Sequence, residues 1–174
     1  MPRCIPAFAL VFAVSAVSLA SAQTAQPAPK PVPASSSSAR FDANAAAALL
    51  AMQTRAAEIK ITGVAVLAYF DGDKPQAWNS RMLVVGRMKD DSKGTDKGSN
   101  LLGIAYAKAA EMADTLKDSG SQVRPPMTGE FGWQGGVIVK CASGYLIAAF
   151  SGGKSEDDVL VSRAGAEALA SRMK

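Results

Sequence analysis

Histidine is missing from all 174 residues of this chain, and cysteine occurs only twice. Without histidine the chain cannot build a Ser-His-Asp or Cys-His catalytic set, a histidine-ligated zinc site or the commonest proton shuttle of neutral pH. Two thiols also cannot supply the multi-cysteine frameworks of iron–sulfur clusters or structural zinc sites within one chain. These absences argue against conventional hydrolase chemistry.

The N-terminus has the pattern of a secretory signal peptide. Residues 1–3 include one positive charge, residues 5–17 form an almost unbroken apolar run, and Ala20-Ser21-Ala22 is a small-x-small cleavage site. The apolar run is shorter than the about 20 residues that a membrane-spanning helix needs. The sequence therefore predicts a signal peptide over residues 1–22, cleavage after Ala22, a periplasmic or secreted protein and no stable membrane insertion.

Residues 23–40 read QTAQPAPKPVPASSSSAR, which predicts a disordered Pro/Ser-rich linker because it offers little apolar surface to bury. The remaining residues, 41–174, are enough for one domain with a real core. Cleavage would remove Cys4 and leave Cys141 alone, so no internal disulfide is expected. Cys141 lies in an apolar strand pattern, which favours a buried inert thiol over a reactive one.

The charge pattern does not predict a nucleic-acid partner. Removal of Arg3 lowers the formal charge from +4 to +3. The remaining lysines are dispersed among acids at 89–97 and at helix ends, without aromatic stacking residues between them. The acidic groups Asp71 with Asp73, and Asp90, Asp91 with Asp96, lack the spacing of a calcium-binding loop, so solvated turns are favoured there over a cation site.

Hydrophobic periodicity predicts seven main elements in the order α, β, β, α, β, β, α, which indicates an α+β domain with an antiparallel sheet flanked by helices. Ser99 or Asn100 is predicted to cap the second helix, Gly120 to end it, and Ser155 with Asp158 to form a capping-box-like start of the third. The expected elements are a helix at 44–60, strands at 63–70 and 76–88, an exposed loop at 89–100, a helix from 101, a hairpin of strands 137–140 and 145–150, and a C-terminal helix.

The stretch GWQGGVIVKCASGYLIAAFSGGKSEDDVLVSRAGAEAL resembles the signature of the GlcG/HbpS family. The matching elements, in order, are Gly135-Gly136-Val137, the turn glycine Gly144, an apolar strand at 147–150, Ser151-Gly152-Gly153 and the acidic helix start at Asp158. The Lys108-Ala109 pair is also similar. The resemblance implies a profilin-like fold with about five antiparallel strands, self-assembly into a homo-oligomer, and haem binding, which several members show.

Haem, if bound, would need its iron ligand from tyrosine, methionine, cysteine or lysine here, because histidine is absent. The available side chains are Tyr106, Met112, Met127, Cys141 and Tyr145, with Tyr106, Met112 and Cys141 as the candidate metal ligands. Lys108 and Arg124 are candidate partners of the propionates. Each of these residues has a plain packing role as its alternative.

Ser151, Gly152 and Gly153 precede a helix N-terminus, where free N–H groups can hold a carboxylate or phosphate. A purely structural turn is the favoured alternative, since Glu156 and its acidic neighbours would repel an anion.

The leading hypothesis is an exported small-ligand-binding module whose ligand is haem or a related planar or carboxylate-bearing molecule. Two alternatives stay open. One is a haem-degrading enzyme, for which no catalytic residue can be named. The other is a ligand-free assembly or partner-binding protein of the same fold.

Overall fold

The computed structural model describes residues 36–173, and these form an α+β domain with a four-stranded antiparallel sheet and three α-helices. The order of elements along the chain matches the predicted one, with a short additional ladder before the second helix. The elements are α1 Ser36–Glu58, β1 Gly63–Asp71, β2 Asn79–Val85, β3 Lys89–Asp90, β4 Ser99–Asn100, α2 Leu101–Thr115, β5 Gly136–Lys140, β6 Gly144–Ser151 and α3 Ser155–Ala170.

The strands of the main sheet lie in the order β2-β1-β6-β5, and every neighbouring pair is antiparallel. The resemblance implies about five strands, and the sheet has four. The segment between β2 and α2 does not add a strand, because β3 and β4 pair only with each other in a separate two-stranded ladder. This segment is rich in charge and contains Gly94 and Gly98 at positive φ, so it has no apolar face to bury against the sheet.

Helices cover both faces of the sheet. On one face α1 and α3 pack over side chains such as Leu67 and Leu146, and on the other α2 packs over Val66 and Ile147. The central strand β1 is buried at all of its first eight positions, which explains why its sequence is continuously apolar instead of alternating.

Helix α1 begins at Ser36, eight residues before the predicted start at Asn44, so the last five residues of the predicted linker are helical. Two contacts hold this added part of the helix. Ser37 is buried with its hydroxyl 2.7 Å from the hydroxyl of Ser143, and Phe41 is completely buried in the core. Serine has a low intrinsic propensity for the α-helix, and tertiary packing overrides this propensity here. The predicted signal peptide at 1–22 and the rest of the linker lie outside the described residues.

The predicted N-cap of α2 is confirmed, and its predicted end is wrong. Asn100 accepts a hydrogen bond from the Gly103 N–H at 3.0 Å. The helix ends at Thr115 because Leu116 adopts a left-handed conformation, with φ of 53°. Gly120 lies beyond this end, and its N–H donates to the Glu111 carboxylate at 2.9 Å.

The hairpin of β5 and β6 is confirmed, as is the glycine turn that leads from it into α3. The predicted capping pair of Ser155 and Asp158 is wrong. Lys154 occupies the cap position without a side-chain hydrogen bond, and Asp158 turns inward and is buried. In the part of the chain that the structure describes, no helix combines the length and the hydropathy needed to cross a membrane.

Candidate functional site

A buried ion pair joins the second and third helices. The Lys108 ammonium on α2 lies 2.8 Å from the Asp158 carboxylate on α3 and donates a second hydrogen bond, also 2.8 Å, to the carbonyl of Phe150. The side chains of the pair are 3% and 4% exposed. Such a pair is costly to desolvate, and loss of either partner leaves an uncompensated charge in the interior.

Local sequence explains how the two charges meet. Lys108 falls on the inner stripe of α2, three or four residues from the buried positions Ala105 and Met112. Gly135, at a φ of 136°, leaves the space that the lysine fills, because a Cβ there would overlap its amine. The hydroxyl of Ser162, one turn beyond Asp158, donates to the Gly135 carbonyl at 2.7 Å and fixes this glycine against α3.

Burial dominates the titration of both groups. Desolvation raises the pKa of the Asp158 carboxyl, and the nearby lysine and the backbone N–H groups oppose the rise. Desolvation likewise lowers the pKa of the Lys108 ammonium against the attraction of Asp158. Each charge therefore depends on its partner to remain ionised inside the domain.

The Ser151-Gly152-Gly153 turn is held from two sides. Asp158 accepts a hydrogen bond from the Gly153 N–H at 2.8 Å, so a carboxylate of the chain itself occupies that donor. Arg87 donates to the Gly152 carbonyl at 2.7 Å and pairs with Asp90 at 2.7 Å. Gly152 has a φ of 150°, and a Cβ there would overlap the backbone oxygen of Thr62. The glycines thus serve a tight structural turn.

Beside this turn lies a polar cavity of about 170 Å³, between the start of α3 and the first half of α2. Three of its lining side chains are hydroxyls, those of Ser99, Ser151 and Ser155. The remaining lining residues are Asp90, Leu101, Ile104, Lys108, Trp133, Gly152, Gly153 and Asp158. Drug-sized ligands occupy about 300–1,000 Å³, so this cavity is too small for haem.

A larger groove of about 790 Å³ lies between the C-terminal half of α2 and the segment that joins β1 to β2. The α2 side of the groove is built from small or apolar residues, Ala110, Ala113 and Leu116, with Asp114 beside them. The opposite side is residues 73–78, which include Pro75 and Trp78.

Tyr106 lies at one end of this groove. Its ring is 6.3 Å from the ring of Trp78, and its hydroxyl is 3.3 Å from the hydroxyl of Ser80. It is half-buried against the core beneath α2, and it is not among the residues that line the groove.

The other predicted site residues are dispersed. Met112 is completely buried beneath α2, where its methyl group packs against Gly136, whereas Met127 is 53% exposed. Tyr145 stacks on Phe70 with ring centroids 5.6 Å apart. The structure brings neither methionine to the groove or to the cavity.

Arg124 and Cys141 line neither space, although Arg124 is bonded to Asp114 at the side of the groove. The Arg124 guanidinium bonds Asp114 and Glu130, each with a shortest distance of 2.6 Å, so two carboxylates already neutralise it. This contact lowers the pKa of Glu130 to about 2. Cys141 is half-buried after β5, and burial raises the pKa of its thiol, in keeping with the interpretation of an unreactive side chain.

The structure therefore brings together four of the ten candidate site residues, Lys108, Ser151, Gly152 and Gly153. Asp158, Arg87 and the two tryptophans are part of these sites and were not predicted as such. Over the residues described, 36–173, no cluster of three or more His, Cys, Asp or Glu side chains is placed to hold a metal ion.

Comparison with known proteins adds no further assignment: no protein-family model matches this chain, and no curated protein matches it significantly.

Proposed function

We propose that this chain is a small-ligand-binding module of the GlcG/HbpS type, with a profilin-like fold, and that it holds a planar, mainly apolar molecule of the haem class. The observation that carries the proposal is the groove between α2 and residues 73–78. Its volume of about 790 Å³ lies within the range of small-molecule sites.

The chemistry of the groove favours a flat ligand. Ala110 and Ala113 present only methyl groups along one side, so a planar molecule can approach the helix closely. The indole of Trp78 supplies an aromatic surface for stacking, and Lys74 supplies a cation for a carboxylate at the rim. These features support binding of an apolar ring with one or two acidic substituents.

The described residues fit the ring of haem better than its iron. Of the iron-ligand types named above, only a lysine, Lys74, lines the groove; no cysteine, methionine or tyrosine does, and the whole chain lacks histidine. The groove therefore offers a macrocycle its apolar contacts without a strong axial ligand. We expect recognition through the ring, with protoporphyrin IX bound about as tightly as hemin.

The test is titration of the purified protein with hemin and with protoporphyrin IX. A Trp133→Phe variant leaves Trp78 as the remaining tryptophan, so quenching of its fluorescence reports on the groove. We expect saturable quenching by both compounds and a saturable change in their Soret bands. If neither compound saturates, the proposal is refuted. If hemin saturates and protoporphyrin IX does not, the iron is ligated by the protein and recognition through the ring alone is refuted.

A pair of variants locates the site. Ala110 is exposed on the groove side of α2, and Ala46 is exposed on α1 away from the groove. Ala110→Tyr should obstruct the groove and weaken binding at least about tenfold, because it removes much of the ligand's buried surface. Ala46→Tyr has the same effect on helix propensity and should bind like the wild type. Equal affinity of the two variants would place the ligand elsewhere.

We also propose that the chain is exported and works as a homo-oligomer in the periplasm or outside the cell. The pattern of residues 1–22 supports export, and N-terminal sequencing of the natural product should begin at Gln23. A product that begins at Met1 would contradict export through this signal. Apolar side chains on the outer faces of α1 and α3, Leu50 and Leu160, are exposed and support contact between copies. Light scattering measures the oligomer directly.

A further inference from the structure

We propose that the polar cavity beside Lys108 is a second binding site, and that it takes a small monocarboxylate such as propionate. It is separate from the groove, and the inference does not rest on the ligand proposed there. The side chains that carry it are the Ser151 hydroxyl and the Lys108 ammonium.

Ser151 supplies the first observation. The residue is 4% exposed and lines the cavity, and its side chain projects from the same face of β6 as Ile147, toward α2. Its hydroxyl makes no hydrogen bond with the residues at 36–173. Among these residues, every side-chain polar atom that is fully shut away from solvent has a partner, so the Ser151 hydroxyl must be in contact with solvent-accessible space. The Ser151 hydroxyl is therefore reached from the cavity, where an oxygen atom of a ligand can accept a hydrogen bond from it.

Lys108 supplies the second donor. An ammonium carries three N–H groups, and two of them are directed to the Phe150 carbonyl and the Asp158 carboxylate. The third has no hydrogen-bond partner among residues 36–173, and the lysine is one of the residues that line the cavity. Ser99 and Ser155 add two more hydroxyls, and the N–H groups at the start of α3 lie beside them.

Charge selects a monoanion over a dianion. The two acidic residues in the wall are paired internally, Asp158 with Lys108 and Asp90 with Arg87. The lining thus carries little net charge of its own and is rich in donors. Glu156 and Asp157 stand in the first turn of α3, next to the cavity, and repel any anion, but they repel a doubly charged phosphate about twice as strongly as a single carboxylate.

Size limits the ligand further. Liquid water occupies about 30 Å³ per molecule, so about 170 Å³ corresponds to some five or six waters. That space suits a carboxylate with two to four carbons. Leu101 and Ile104 give the walls an apolar part that fits a short alkyl chain.

The two tryptophans of the chain make the site separately observable. Trp133 lines this cavity and Trp78 lines the groove, so a Trp78→Phe variant reports on the cavity through Trp133. The probes are propionate, its uncharged analogue propionamide, and inorganic phosphate, each titrated at constant ionic strength. We expect saturable fluorescence change with propionate and much weaker binding of the other two.

Ser151→Ala tests the geometry. The substitution removes the unused hydroxyl and should weaken propionate binding about tenfold, the usual scale for a hydrogen bond to a charged group. Ser37→Ala is the matched control, because it also deletes a buried hydroxyl, but one on α1 that bonds Ser143 and lies outside the cavity lining. It should leave propionate affinity unchanged.

Three results would overturn the inference: no saturation with propionate, equal affinity for propionamide or phosphate, or equal affinity in Ser151→Ala and wild type. Because these measurements use Trp133 and small carboxylates, they are independent of the hemin titration that follows Trp78. Either site can fail its test while the other passes.

Discussion

Replacement of Lys108 by methionine isolates the energetics of the buried ion pair. Methionine keeps most of the length of the side chain and removes the charge and both hydrogen bonds. Asp158 then remains 4% exposed with no countercharge, and the Phe150 carbonyl loses a donor. We expect the free energy of unfolding to fall by about 3–5 kcal/mol at neutral pH, as when one member of a buried pair is deleted.

The loss of stability in Lys108→Met should depend on pH in a definite direction. In Lys108→Met, desolvation acts on Asp158 without the lysine, so its folded-state pKa rises further above the unfolded value. Below the pKa that Asp158 has in the unfolded chain, its carboxyl is neutral in both states and costs the variant little. As the pH rises through the folded-state pKa, the folded variant must hold a buried charge without a partner, and its free energy of unfolding falls. The destabilisation should therefore be smallest in acid and reach its full size near neutrality.

Urea denaturation at several pH values measures both effects. Arg55→Met is the control, because Arg55 pairs with Glu58 at 2.9 Å on the surface, where such a pair contributes about 0.5 kcal/mol. The double variant Lys108→Met, Asp158→Leu should recover most of the loss. The reasoning fails if Lys108→Met costs no more than Arg55→Met, or if its cost grows as the pH falls.

Two further predictions concern the turn before α3 and the ion pairs near α2. Gly152→Ala should lower the free energy of unfolding by about 2 kcal/mol or more, because its Cβ would overlap the oxygen of Thr62, whereas Gly72→Ala, with a φ of 76° and no atom nearby, should cost about 1 kcal/mol. Denaturation curves compare the two, and equal losses would contradict the steric argument. The pKa of Glu130, about 2, should return toward its ordinary value in Arg124→Ala, as followed by NMR; an unchanged pKa would show that the guanidinium is not the cause.

Much of the architecture could be predicted from the sequence because it depends on local signals. The continuous apolar run of β1, the Asn100 cap and the glycine turn after β6 each have one ready physical interpretation. The start of α1 at Ser36 could not be predicted this way. It depends on the contact of Ser37 with Ser143, which is 106 residues away in the chain.

The sites were harder to predict for the same reason. Lys108 was singled out by type, but its partner Asp158 had a simpler local interpretation as a helix-capping acid. Only the packing of α2 against α3 reveals the pair. Trp78 and Trp133 mark the groove and the cavity, and no periodicity distinguishes a tryptophan at a pocket from one on a bare surface.

The two edge strands of the main sheet, β5 and β2, differ in how their outward backbone groups are hydrogen-bonded. Along β5 the outward N–H groups of Gly136 and Ile138 are taken by Ser119 and Asp118, at 2.8 and 2.9 Å. In the described part of the chain no strand pairs with the outer margin of β2. The margin at β5 therefore has fewer free donors for a further strand than the margin at β2 has, so a strand that joined the sheet would pair more readily with β2.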